Sequence, residues 1–122
     1  IRDRSNLFNK RRVISGKTHD LIRNAEFIVT RNSTAITYAA YYRKPILLIY
    51  TDEMYNSQAY RNAVPIAKSL NTQLINIDNL EKLNIKKALK IDHKKYKNYL
   101  NNYCTFEKTN KPNYVLIKEL LI

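Results

Sequence analysis

The apolar positions fall into short unbroken runs separated by stretches of helical period. Phe27-Ile28-Val29-Thr30 and Ile46-Leu47-Leu48-Ile49-Tyr50 are unbroken and rich in β-favouring residues. Such runs predict strands buried on both faces, as in parallel sheets. Gln73-Leu74-Ile75-Asn76-Ile77 alternates instead, which predicts a third strand nearer an edge. Between the first two runs, over 33–42, Ala35, Ile36, Ala39 and Ala40 recur at helical spacing. A face of small residues lets a helix lie close on a sheet, and Lys44-Pro45 then stops it and opens the next strand. Over 57–70, Tyr60, Ala63, Ala67 and Leu70 form one helical stripe, and Pro65 predicts a kink or a late start. The order strand, helix, strand, helix, strand predicts adjacent parallel strands joined by right-handed crossovers.

The flanks read differently. Residues 1–12 are polar and basic, with Ile1, Leu7 and Phe8 as their large apolar side chains. They predict a tail or connection over 1–15, ending in a short extended piece at Val13 and Ile14. Residues 17–24 carry Leu21 and Ile22 on one side and predict a short helix capped by Thr18. The α/β core is assigned to 16–78. Beyond it, 79–90 and 92–103 predict helices with basic faces. After a turn at Lys111-Pro112, Val115, Leu116, Leu120 and Leu121 form a docking stripe within 79–122, a helical C-terminal segment. The fold class is α/β: a partial Rossmann-like domain whose parallel sheet has three or four strands flanked by helices.

Composition narrows the functions. A chain of 122 residues, 44% hydrophobic, suits one core, as a single domain or a domain fragment. One glycine and three prolines are too few for a hairpin-rich all-β fold, and with Gly16 alone neither a Walker loop nor GxGxxG can form. The longest apolar run, Ile46 to Tyr50, is far short of the ~20 residues that span a bilayer. Cys104 stands alone, which excludes a disulfide framework and a cysteine-built zinc site, and it reads as a reduced cytosolic thiol. His19 and His93 lack metal-ligand spacing, and no Ser/His/Asp or Cys/His set assembles. No metal or cofactor is expected.

Twenty-two Lys and Arg against ten Asp and Glu leave a formal charge of +12, which raises nucleic acid, anionic membrane and phosphorylated ligands as partners. The accompanying richness in Asn, Ile and Tyr offers AT-rich coding as a second source of the charge. His93-Lys94-Lys95-Tyr96-Lys97-Asn98-Tyr99 interleaves bases with aromatics, a pattern that suits single-stranded nucleic acid. A solvated helix with Tyr96, Tyr99 and Leu100 turned to the core reads equally from the same residues.

In open parallel sheets, ligands bind at the carboxyl ends of the strands. The loop Thr30-Arg31-Asn32-Ser33-Thr34 leaves a strand and enters a helix directly. With Asn32 or Ser33 as cap, the N–H groups of Ser33, Thr34 and Ala35 would face a phosphate, and Arg31 would add a charged fork. The plain alternative leaves Asn32 and Ser33 as caps and Arg31 solvated. The loop 51–57 carries Asp52 and Glu53, which can accept from ribose or donor-sugar hydroxyls, or can simply favour the next helix's N-terminus. Asp78-Asn79 reads as a cap.

Gly16-Lys17-Thr18, Leu21-Ile22, Phe27 through Ile36, Ala39 and Lys44-Pro45-Ile46-Leu47-Leu48 together carry a resemblance. Over about residues 16 to 58, the chain resembles the carboxyl-terminal half of GT-B-type bacterial glycosyltransferases of surface-polysaccharide synthesis. Those enzymes show a strand, a Ser/Thr-rich turn, an Ala-rich helix, then Lys-Pro-Ile and the next strand. The resemblance implies a nucleotide-sugar as substrate, its diphosphate on Arg31, Asn32, Ser33 and Thr34, and its ribose or sugar facing Asp52 and Glu53. It also implies an acceptor domain upstream of this chain, so that the chain alone is a fragment without turnover. The expected place is the cytoplasm, with peripheral contact to anionic membrane, and nucleic acid is not its expected partner. A related reading, a GT-B-type sugar-nucleotide epimerase, lacks its Gly-rich turn and Arg-rich segment here. The alternative from another class is a small basic α/β module that binds nucleic acid or protein without catalysis. The two classes differ in where the bases lie: one focal anion pocket at the strand ends, or an extended stripe.

Overall fold

The computed structural model describes residues 9–104 together with Lys118, Glu119 and Leu121. In order come helix α1 (Thr18–Asn24), strand β1 (Ile28–Thr30), α2 (Ala35–Tyr41), β2 (Ile46–Tyr50), α3 (Gln58–Leu70), β3 (Leu74–Asn76), α4 (Ile85–Ala88) and α5 (His93–Tyr99). A π-helical turn, Leu100–Cys104, continues α5. The sheet has three strands in the order β1-β2-β3. Both pairs are parallel: Val29 lies opposite Leu47, and Ile49 opposite Ile75. The expected strand–helix crossovers are therefore present, and the three-stranded parallel sheet flanked by helices is an α/β arrangement.

Strand β2 begins where Pro45 forbids helix and holds the ladder from both sides. Its Ile46, Leu47 and Leu48 are buried, Leu48 fully. Alternate residues project to opposite faces. Ile46 and Leu48 join Ile22, Ile36, Ala39, Ala40, Ala67, Leu70 and Tyr96 in the larger core, beneath helices α1, α2, α3 and α5. Ala39 and Ala40 of α2 have no exposed surface, so that helix rides directly on the sheet. On the other face, Leu47 and Ile75 pack with Ala88 of α4 and with Leu83 and Leu89.

Strand β1 departs from expectation. An unbroken apolar run predicted burial on both faces, yet Val29 is 52% exposed and Phe27 41%. The α4 segment covers the second face only over β2 and β3, so the corresponding face of β1 stays open among the described residues. Val13 and Ile14 form no strand, and α1 has Lys17, not Thr18, in the cap position, with no side-chain cap bond.

Helix ends obey local chemistry. Ser57 caps α3 by accepting from the Tyr60 N–H, and the helix runs through Pro65, so the late start does not occur. Both α2 and α3 close with a 6→1 bond paired with a shorter bond, around a left-handed residue. Lys44 N donates to Ala39 O at 2.8 Å around Arg43 (φ 54°), and Thr72 N to Ala67 O at 3.0 Å around Asn71 (φ 51°). Asparagine tolerates that conformation; arginine is rare there. The expected helix over 79–90 is reduced to α4, whereas α5 with its π-helical continuation spans 93–104, close to the expected 92–103. Asn84 caps α4 and Asp92 caps α5, each accepting from the N–H three residues on, and turns lie at 77–78 and 81–82. The expected stripe of Val115, Leu116 and Leu120, and the turn before it, lie outside the described residues; Leu121 is exposed.

Two outcomes test this packing. Replacing Leu48 by Ala is expected to cost about 2–5 kcal/mol in denaturant unfolding, whereas Val29→Thr on the open face should stay within about 0.5 kcal/mol. Burial pushes the Tyr96 phenol up to about 12, while the Ile46 backbone pulls it the other way. Its hydroxyl donates to the Lys44 carbonyl at 3.0 Å. A raised folded-state value means the native chain holds this proton after the unfolded chain has lost it. The associated stability is complete below pH 10 and is lost as pH rises towards 12. Tyr96→Phe should lower stability by about 1 kcal/mol at neutral pH and flatten the alkaline slope in thermal unfolding between pH 10 and 12.

Candidate functional site at the carboxyl ends of the strands

The parallel order brings the ends of β1, β2 and β3 to one side of the molecule. From β1 the chain enters Arg31, Asn32, Ser33 and Thr34, all exposed. From β2 it enters 51–57, where Asp52 and Glu53 are exposed. The two loops meet: Arg31 Nη1 donates to Met54 Sδ at 3.7 Å. A thioether is a weak acceptor, so the guanidinium is positioned without being neutralised. No described carboxylate is in ion-pair range of it.

The turn before α2 differs in detail from expectation. Thr34, with helical angles, takes the cap position and makes no side-chain cap bond. Ser33 Oγ accepts from Ala35 N at 3.1 Å, which removes one of three expected free donors. The N–H groups of Ser33 and Thr34 make no hydrogen bond within the described residues. With seven residues in α2, the helix adds little field of its own, and Arg31 is the principal positive group of the turn.

Asp52 is pinned across the sheet. Asn76 Nδ2 donates to Asp52 Oδ1 at 2.7 Å, the Asp52 N–H donates to Asp78 Oδ2 at 2.7 Å, and the Asp78 N–H donates to Asn76 Oδ1 at 3.0 Å. Asp78 is thus a tie between the β2 and β3 loops and not the helix cap expected of it. The first turn of α3 contains no acidic residue, so Asp52 and Glu53 do not serve that helix end.

One feature was not read from the sequence. Tyr50, Tyr55 and Tyr60 pack together at the top of β2 and the start of α3, with centroids 4.9 Å apart for Tyr50–Tyr60 and Tyr55–Tyr60. Partial burial, with the neighbouring phenols Tyr50 and Tyr55, raises the Tyr60 hydroxyl above its ordinary value. Tyr55 remains 55% exposed at the mouth of the loop. The five-residue spacing was visible, but nothing local ties a strand end, a loop and a helix start together.

Asp52 is held in place and Glu53 is solvated on the loop that meets Arg31, beside an aromatic cluster. That set can bind a phosphorylated, hydroxyl-bearing ligand; it contains no evident nucleophile–base pair. Among the described residues, no three His, Cys, Asp or Glu side chains gather to hold a metal ion, and no helix is long and apolar enough to cross a membrane. A concavity of about 540 Å³ lies at the opposite end, by the start of β3, lined by Asn71, Thr72, Lys87, Lys90 and Asp92. Its carboxylate is engaged: Asp92 accepts from the Lys95 N–H and from Asn71 Nδ2, and the first of these bonds is the larger cause of its lowered pKa. No protein family, curated protein or solved structure matches the chain.

Proposed function

We propose that this chain is the nucleotide-sugar donor-binding portion of a glycosyltransferase of cell-surface polysaccharide or glycan synthesis, built on a partial Rossmann-like sheet. The observation that carries the reading is the meeting of the Arg31 turn with the Asp52–Glu53 loop at the ends of adjacent parallel strands. A diphosphate placed there would take the two free N–H groups, the hydroxyls of Ser33 and Thr34, and the Arg31 fork in exchange for its weak Met54 contact. Asp52 keeps one carboxylate oxygen outside the Asn76 bond, and Glu53 is solvated, so both can accept from ribose or sugar hydroxyls. Tyr55 offers a ring for a base or a sugar face.

The open face and unpaired edge of β1 support the fragment part of the proposal. Parallel sheets are ordinarily covered on both sides, and here Phe27 and Val29 stand uncovered among the described residues. In the proposed whole protein, an acceptor domain closes a cleft over the strand ends, the nucleotide-sugar is a substrate, and the assembly works in the cytoplasm beside an anionic membrane.

Replacing Arg31 by Ala should weaken nucleoside-diphosphate binding by one to two orders of magnitude, from the loss of charged hydrogen bonds worth about 1.5–3 kcal/mol each. Titration calorimetry on both chains measures this, and the melting temperature should barely change because Arg31 is exposed. Equal affinities would leave Ser33 a simple turn residue and remove the donor site. A second expectation concerns turnover. Incubated with labelled nucleotide-sugars and candidate acceptors, the 122-residue chain alone should transfer no sugar, since half a cleft cannot position two substrates. Transfer by the isolated chain would refute the fragment reading.

A further inference from the structure

Away from the strand ends, α2 and α5 enclose a second concavity of about 550 Å³. Arg43, His93, Lys94 and Lys97 line it, with Tyr41 on its wall and the buried Tyr96 at its floor. Among the described residues no acidic side chain lines it and Arg43, Lys94 and Lys97 make no ion pair, the nearest carboxylate influence being that between Lys94 and Asp92. Lys94 and Lys97 stand one helical turn apart on α5, so they lie on one face, and Arg43 faces them from the end of α2. Tyr41 is 67% exposed, its ring held edge-to-face by Tyr42 with centroids 5.1 Å apart. Outside the groove, Tyr38 of α2 packs edge-on against His19 and Tyr103 of the π-helical turn packs against Tyr99.

We propose that this groove binds single-stranded nucleic acid, with Arg43, Lys94 and Lys97 on successive phosphates and Tyr41 stacked on a base. Cations without an ion-pair partner along a concave track, beside an exposed aromatic ring, are the pattern that holds a flexible strand without reading its sequence. A bilayer needs a different surface: exposed aliphatic side chains on the cationic face. Of the groove's apolar lining only Tyr41 is exposed, Leu100 being half-buried, while Phe27 and Val29 lie on the sheet face turned away from α2. The conformation of Arg43 points the same way. It holds a left-handed φ of 54°, where glycine would be at ease, and thereby stations a guanidinium at the groove. This site is independent of the nucleotide-sugar reading, whose key residue, Arg31, lies at the carboxyl end of β1.

The test is fluorescence anisotropy of a labelled twelve-residue oligothymidylate titrated with the full chain at several salt concentrations, alongside sedimentation with phosphatidylserine-containing vesicles. Binding should fall with salt at a log–log slope of about 2 for three phosphate contacts on a single strand. Arg43→Gly is the cleanest variant, because it relieves the backbone as it removes the charge: its melting temperature should hold or rise while affinity drops several-fold and the slope shrinks. Lys94→Glu with Lys97→Glu should weaken binding at least tenfold, Tyr41→Ala several-fold, and Arg31→Ala not at all. The proposal is overturned by absence of oligonucleotide binding, by unchanged affinity in the folded Arg43→Gly and Lys94→Glu/Lys97→Glu chains, or by loss confined to Arg31→Ala. Vesicle binding that these lysine substitutions abolish, with no oligonucleotide binding, would overturn it in favour of a membrane face.

Discussion

Everything in this molecule is referred to β2. Its five residues pair with β1 on one side and β3 on the other, and they contribute to both cores, Ile46 and Leu48 to one and Leu47 to the other. A strand buried in this way has no polar face, so its whole free-energy contribution comes from burial and from the ladder. Ala39 and Ala40 of α2 and Ala67 and Leu70 of α3 share one core with Ile46 and Leu48, so both crossovers lie on the same side of the sheet, and because both pairings are parallel the chain leaves all three strands at the same end. The meeting of the Arg31 turn with the acidic loop follows from that pairing, since loops leaving adjacent parallel strands start within a strand spacing, about 4.8 Å, of each other.

The residues that determine this scaffold act locally, which is why they could be read. The bounds of β2 follow from an unbroken apolar run beginning at Pro45, and α3 starts one residue after Ser57 because a serine there accepts from Tyr60 N. The edge status of β1 could not be read in the same way. Phe27-Ile28-Val29-Thr30 is as apolar as a central strand, and its open face depends on how far α4 reaches across the sheet. The basic stretch directly after β3 shows a related limit. Asn84 is itself a helix cap, so the helix expected over 79–90 shrinks to α4, while the one expected over 92–103 forms behind its cap Asp92 as α5 and the π-helical turn.

The site was legible only to the level of which loops converge. That Arg31, Asp52 and Glu53 share one end of the sheet follows from strand order. That Asp52 is tied to Asn76 and Asp78, 24 and 26 residues away, follows from the register of β2 on β3, which no local pattern encodes. The consequence is chemical. A carboxylate oxygen held by a neighbouring amide is an acceptor fixed in direction, and the other oxygen of Asp52 is left outside that bond.

The placement of the charge, more than its size, separates the two ends of this protein. A compositional bias towards lysine explains a formal +12 without function, but it distributes cations over whatever surface the fold offers. It has no bearing on where the backbone accepts strain. Among the described residues five non-glycine residues have positive φ; Asn9, Asn56 and Asn71 are asparagines, the residue that tolerates this region best, and Lys10 lies in the segment before α1. Arg43 is neither: it closes α2 in a position where glycine would cost less, and its side chain lines the groove opposite Lys94 and Lys97. At the other end Arg31 sits on ordinary backbone and is held only by a thioether. A single arginine in a turn concentrates charge on one anion, whereas three cations along a tyrosine-walled groove spread it over several phosphates. The same surplus of positive charge is therefore organised in two ways, and only the second draws on a strained residue to do it.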